Sequence, residues 1–425
     1  MEQSFSDSSS LADYEVIVIG AGAAGLAAGR ELARAGIKFR ILEARDRIGG
    51  RAHTVQREHP LDLGCGWLHS ADVNPFTTIL SNLGCTIDKT PPAWGRHSLD
   101  LGFNTAEQAA FGRAIGAYQE RLHKHAPSRP DVPASNFLEP DCRFNPLISA
   151  IYTYISGAEP EKISAHDLVN YEDTEINWRV VEGYGAGIAR FGADLPVTLA
   201  CPVSKLDHAG KMLRLSTPQG TVTADRVIIT LPTNLLAQEA LAFDPPLPDK
   251  VAAAAALPLG FADKVVLALD RPLSLPKDGH VFGRVDRTDT ASYHLSPFGR
   301  NVIEAYFGGQ LAADLEAEGP NAFYAFAEDE IGDLLGSAFR LRLRRLSETA
   351  WGRDPFSRGA YSYAVPGHAG ARQALAAPVD GRIFFAGEAC SLHSFSTAHG
   401  AYMTGVAAAD AVIAARNGKI QPTMV

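Results

Sequence analysis

The chain has 425 residues, 46% of them hydrophobic and 20% charged, the composition of a folded globular protein with room for two cores; a disordered chain is excluded. A net charge of -9 with no long Lys/Arg run argues against a nucleic-acid partner. Five scattered cysteines (Cys65, Cys85, Cys142, Cys201 and Cys390), odd in number and without a CxxC pair, argue against a disulfide framework and a metal site, and make a reducing, cytoplasmic location the expectation.

Met1–Asp13 is polar and Ser-rich, and the Ala-rich stretch Val251–Leu269 is broken by Pro258, Asp263 and Lys264, so neither a signal peptide nor a membrane span is expected. Tyr14–Ile19 is a short β-branched run of the kind a buried parallel strand requires; Leu26–Ala35 reads as a helix and Lys38–Leu42 as a second strand, together one β-α-β unit. From about Asn74 to Glu182 the pattern turns helical, with prolines between the helices. Val197–Leu199, Met212–Ser216, Thr221–Ala224 and Arg226–Thr230 read as strands. Lys264–Leu269, Tyr293–Leu295 and Val302–Phe307 suggest another sheet, and Asn321–Leu335 an amphipathic helix. Arg382–Phe385 is a last strand, followed by a helix from about Gly400 to Arg416.

Gly20-Ala21-Gly22-Ala23-Ala24-Gly25 fits GxGxxG and lies between strand and helix, where the glycines give a tight turn, close approach to a pyrophosphate and close helix packing. Glu43 ends the next strand where a carboxylate would accept hydrogen bonds from a ribose and repel a 2′-phosphate, which favours FAD or NAD over NADP.

The stretch Glu43-Ala44-Arg45-Asp46-Arg47-Ile48-Gly49-Gly50-Arg51 resembles the extended FAD signature of the flavin amine oxidase superfamily, which includes monoamine and polyamine oxidases, L-amino-acid oxidases and histone demethylases. Asp62-Leu63-Gly64, with Gly66, Trp67-Leu68-His69 and Asn74-Pro75, is similar to the polyamine-oxidase form of the second FAD segment. Gly183-Tyr184-Gly185 stands where the family has a glycine pair, Tyr184 replacing the second glycine; Pro202-Val203 resembles the adenine-holding segment, Trp351–Ser357 and Gly359–Ser362 the flavin-lining stretch, and Phe385-Ala386-Gly387-Glu388 the closing FAD motif.

The resemblance implies an α/β (mixed α+β) fold, in which a glutathione-reductase-like, Rossmann-type FAD-binding domain (1–73, 196–236, 376–425) is interleaved with a sheet-plus-helices substrate domain (74–195, 237–375). It implies an FAD-dependent oxidase of a small-molecule amine, with O2 as acceptor and hydrogen peroxide as product; a homodimer is a further expectation. Lys264 is similar in setting to the family lysine that holds a water against the flavin, and a lysine directed inward from a strand needs such a polar partner. Tyr361 and Tyr402 match the two aromatic positions of the monoamine-oxidase cage, whose π-faces favour positive charge. Ala360 stands where monoamine oxidases carry the flavin-linking cysteine, so the FAD is expected to be non-covalent. His69 and His399 are candidate substrate contacts, and Thr397 and Ala398 open the last helix, whose N-terminal dipole would stabilise negative charge on the reduced ring.

Three alternatives stay open. An L-amino-acid oxidase would need a buried arginine for the substrate carboxylate, with Arg96, Arg113 and Arg143 as candidates. A flavin-dependent desaturase or carbon–carbon oxidase would have little use for Lys264 and paired tyrosines. A demethylase-like scaffold subunit would call for a heptad insertion, which the chain lacks.

Overall fold

Tyr14–Ile19 is buried from Val16 onward because a parallel strand lies on each side and helices or loops cover both faces, which is why the run is β-branched at successive positions. Phe39–Leu42 pairs with it from Val16↔Phe39 to Ile19↔Leu42, and Gly220–Ile229 pairs along the other edge. The computed structural model describes residues 12–95, 99–272 and 276–416.

These strands form the centre of an eight-stranded sheet, in the order Ala242–Asp244, Lys205–Asp207, Leu213–Thr217, Gly220–Ile229, Tyr14–Ile19, Phe39–Leu42 and Val197–Thr198, with Ile383–Phe385 also on Gly220–Ile229. Side chains alternate between two cores. Val16, Val18 and Ile41 pack with Leu26, Ala408 and Val412 of the helices Ala23–Arg34 and Ala398–Arg416, while Ile17, Ile19 and Val227 pack with Leu206, Leu236 and Leu257. Gly220–Ile229 is one strand where the sequence pattern suggests two. Exposed Asp225 interrupts the apolar run at the point where the strand exchanges its antiparallel neighbour Leu213–Thr217 for the parallel Ile383–Phe385.

The second sheet is antiparallel, in the order Gly279–Phe282, Ser292–Leu295, Val302–Gly308, Ala262–Leu269 and Leu343–Glu348. Val265, Leu267, Tyr293, Ile303 and Ala305 point to one face and pack under the helices Gly309–Glu318 and Ala322–Leu335. The period of two sends Lys264, His280, Ser292, His294 and Tyr306 to the other face, and Lys264↔Tyr306 and Ser292↔Tyr306 are register partners. Facing this polar strip are the helices Thr105–His125, which opens with an Asn104/Glu107 capping box, and Asn145–Ser156. No helix among the described residues is long and apolar enough to cross a membrane.

Candidate active site

A cavity of about 1770 Å³ runs from the C-terminal ends of the parallel strands to the polar face of the second sheet. Its first half is built on the β-α-β turn. Gly20 has φ +101°, and a Cβ on Gly25 would lie 1.9 Å from the Gly20 carbonyl oxygen, so the turn requires glycine at both positions. The helix begins at Ala23 behind Gly22, whose lack of a side-chain cap leaves the first-turn N–H groups open toward the cavity. Glu43 is buried; its carboxylate accepts from the N–H groups of Ala21 (2.7 Å) and Arg45 (2.9 Å), which fixes its remaining lone pairs on the cavity side.

Gly20, Gly22, Ala23, Ala24, Glu43, Ala44, Arg45, Gly49, Gly50, Arg51, Gly64, Gly66, Trp67, Val203, Trp351, Gly387, Glu388, Thr397 and Ala398 all line this cavity. Gly25 and Leu68 do not: Gly25 packs beneath the turn and Leu68 is fully buried behind the wall. Sequence reasoning passed over Thr230, Leu231, Pro232 and Ser396 on the same wall, which carry no glycine or charge signature. At Gly387 (φ +135°) a Cβ would meet nothing within 4 Å, so the backbone here faces open space on the cavity wall. Arg51 ties the cradle together, donating to Glu388 at 3.0 Å and to the Ala360 carbonyl. Burial pushes the Glu388 carboxyl up, but Arg51, the Ser362 hydroxyl at 2.6 Å and the Ser396 N–H at 3.0 Å outweigh it and hold the group below its ordinary value. The bare helix terminus, the glycine cradle and the fixed carboxylate fit the pyrophosphate and ribose of FAD.

Where the cradle meets the second sheet, the half-buried Lys264 donates from Nζ to the carbonyls of Gly64 (2.6 Å) and Asp62 (3.2 Å) and lies 5.2 Å over the Tyr306 ring. An ammonium has three donors, so one remains for a group in the cavity. Asp62 in turn takes the N–H groups of Tyr184 (2.9 Å) and Gly185 (3.1 Å), so the departure from the glycine pair at Tyr184 still gives a helix start pinned to this segment. Trp351 closes the same corner, its indole N–H reaching the Leu63 carbonyl at 3.3 Å. Tyr361 presents its ring to the cavity and donates its hydroxyl to the Tyr154 carbonyl. Ala360 lines the cavity beside it.

Tyr402 is elsewhere. It lies off the cavity wall and packs edge-on against Phe76, ring centroids 5.1 Å apart, and beside Phe191 at 5.9 Å. Thr397, Ala398 and Ala401 stand on that stretch of wall instead, so of the two tyrosines Tyr361 lines the cavity and Tyr402 does not. His69 lines the cavity with Nδ1 2.6 Å from Asn177 Oδ1. His399 is buried behind the wall, pushed down to about 4 by burial and by His69.

The cavity is also walled by apolar groups such as Phe111, Ile115 and Phe282 and by the exposed acids Glu120, Asp173 and Glu175, of which Asp173 accepts from the Ser70 hydroxyl next to His69. Segments 93–95 and 99–175 contribute no arginine to it. Arg113 is exposed and off the wall, Arg143 pairs with Glu107 over the Phe144 ring, and Arg96 lies outside the described residues.

A nucleotide cradle that opens directly onto a walled-off lysine is the layout of a flavin-dependent oxidoreductase. The chain belongs to the flavin-containing amine oxidoreductase family, whose model matches residues 23–127 and 117–413. It is therefore an oxidoreductase acting on amines, with FAD as its cofactor. It is 29% identical to probable polyamine oxidase 4 of Arabidopsis thaliana, over 92% of this chain and 86% of that one. It is 26% identical to lysine-specific histone demethylase 2 of Homo sapiens, over 94% of this chain and 53% of the demethylase. A solved structure of a putrescine oxidase redesigned in its cofactor binding shares the fold, with a TM-score of 0.74 at 20% identity, covering 94% of this chain and 99% of that one.

Proposed function

We propose that the chain oxidises the carbon–nitrogen bond of a primary or secondary amine to an imine that water hydrolyses to an aldehyde or ketone, with O2 reduced to hydrogen peroxide, and that its substrates carry a second cationic nitrogen. The observation that carries this reading is the acid lining of one cavity: Glu120, Asp173 and Glu175 stand on the same wall as Lys264 and Tyr361, with no arginine among the described helical residues. Relatives named as polyamine oxidases support the same class.

Bound FAD supplies the two-electron acceptor. Glu43, Arg45, Arg51 and the first turn of Ala23–Arg34 would hold it non-covalently, since Ala360 offers no nucleophile. Thr397 caps the last helix, its hydroxyl accepting the Gly400 N–H at 2.9 Å, so this N-terminus and its positive dipole end lie at the cavity wall. The free N–H of Lys264 would hold a water, and the Tyr361 ring would offer the amine a π-face. The rim carboxylates raise the local concentration of cationic substrate.

Steady-state peroxide formation over matched monoamines, diamines and longer polyamines tests this. Asp173→Asn/Glu175→Gln is expected to raise KM for diamines by about 2- to 10-fold, more at low salt, with kcat and the monoamine KM unchanged. Equal effects on monoamines and diamines would contradict the second-cation assignment. A reading as an L-amino-acid oxidase has no arginine for the carboxylate among the described helical residues on the wall.

A further inference from the structure

Asp263 and Glu316 are 2% and 4% exposed, and their carboxyl groups are brought together at the Trp351–Gly352 turn, where the second sheet ends. Each grips one of two consecutive backbone amides. Asp263 Oδ1 accepts the Trp351 N–H at 3.0 Å and the Thr349 hydroxyl at 2.7 Å; Glu316 Oε1 accepts the Gly352 N–H at 2.8 Å. Asp263 Oδ2 is buried with no hydrogen-bond donor among the described residues. Two carboxylates cannot donate to each other, so the contact is satisfied only with a proton between them.

We propose that Asp263 and Glu316 share a single proton and together form a clamp that sets the Trp351–Gly352 turn and, through it, the cavity wall beside Lys264. The groups facing Asp263 are Glu316 from the helix Gly309–Glu318, Thr349 and the Trp351 N–H from the loop after the edge strand, Phe307 across the strand pair, and the Tyr361 phenol, and none of these is cationic. Lys264 turns its ammonium away, to the carbonyls of Asp62 and Gly64, and Arg353 is exposed and reaches the Ala317 carbonyl. Burial and then Glu316 push the Asp263 carboxyl well above its ordinary range. A carboxyl raised in the folded state contributes stability that is complete below its unfolded value and is lost as pH rises through the folded one. Asp263 is thus a positioning residue: Trp351 and Lys264 lie on the cavity wall, and both lean on the Leu63–Gly64 backbone.

Asp263→Asn and Glu316→Gln each replace the shared proton by a permanent amide N–H. The test follows melting temperature and the visible flavin spectrum of the holoprotein from pH 5 to 9; neither readout uses turnover, so the result is independent of the substrate reading. The expected result is that at least one amide variant keeps its flavin and gains on the wild type by roughly 1–2 °C per pH unit as pH rises, whereas Asp263→Ala is less stable throughout. A stability difference that is constant with pH in both amide variants would overturn the proposal. So would failure of both to fold with flavin, because an amide donor satisfies the same contact.

Discussion

The ammonium of Lys264 donates to the carbonyl of Gly64 at 2.6 Å, binding the start of the strand Ala262–Leu269 to the loop that walls the cofactor end of the cavity. The lysine is thereby held by two backbone oxygens, which leaves one N–H for the cavity.

Lys264→Met keeps the apolar stem and removes the ammonium. The protein is expected to fold and bind FAD, with kcat/KM for its amine reduced by roughly 10²-fold, the low end of what a positioned proton-handling group contributes. Stopped-flow measurement of flavin reduction separates this loss from any change in reoxidation by oxygen.

The two tyrosines should separate. Tyr361→Ala removes the ring that faces the cavity and is expected to cost about 1–2 kcal/mol in kcat/KM, or roughly 5- to 30-fold. Tyr402→Leu, in the packing against Phe76 and Phe191, is expected to lower the melting temperature and leave kcat/KM unchanged. Paired kinetic and thermal measurements on both variants check this.

Glu43→Ala removes both carboxylate oxygens and orphans the N–H groups of Ala21 and Arg45. Loss of charged hydrogen bonds worth about 1.5–3 kcal/mol is expected to weaken FAD binding by roughly 10- to 100-fold, read by titrating apoprotein with FAD.

Acid should destabilise the protein through His399. Burial and the neighbouring His69 lower its folded pKa to about 4, whereas an unfolded histidine titrates near 6.5. The imidazole is therefore neutral when folded, and its contribution is complete above pH 6.5 and lost as pH falls toward 4, on the order of 3 kcal/mol. Urea unfolding between pH 7 and 4 is expected to show a shallower decline for His399→Gln than for the wild type.

The cofactor half of the site was legible because local backbone rules fix it. A glycine turn between a buried strand and a helix leaves few other arrangements, and Glu43 follows within the same unit. Lys264 was singled out by its resemblance to the family lysine and its place at the start of a strand, and it lines the cavity. Tyr402 misled because helix geometry turns neighbouring residues to different faces: Ala398 and Ala401, three apart, face the cavity, and the next residue rotates by about 100° onto Phe76. The acids Asp173 and Glu175 lie between helices in a segment with no period to read, and Asp263 and Glu316 meet only through the packing of a distant helix on the sheet.

The most direct test is anaerobic mixing of the purified yellow protein with panels of monoamines, polyamines and L-amino acids while flavin absorbance is followed. The account predicts bleaching by amines, strongest with those bearing a second cationic nitrogen, and peroxide when air is readmitted. Bleaching by amino acids alone, or a flavin that no nitrogen compound reduces, would contradict it.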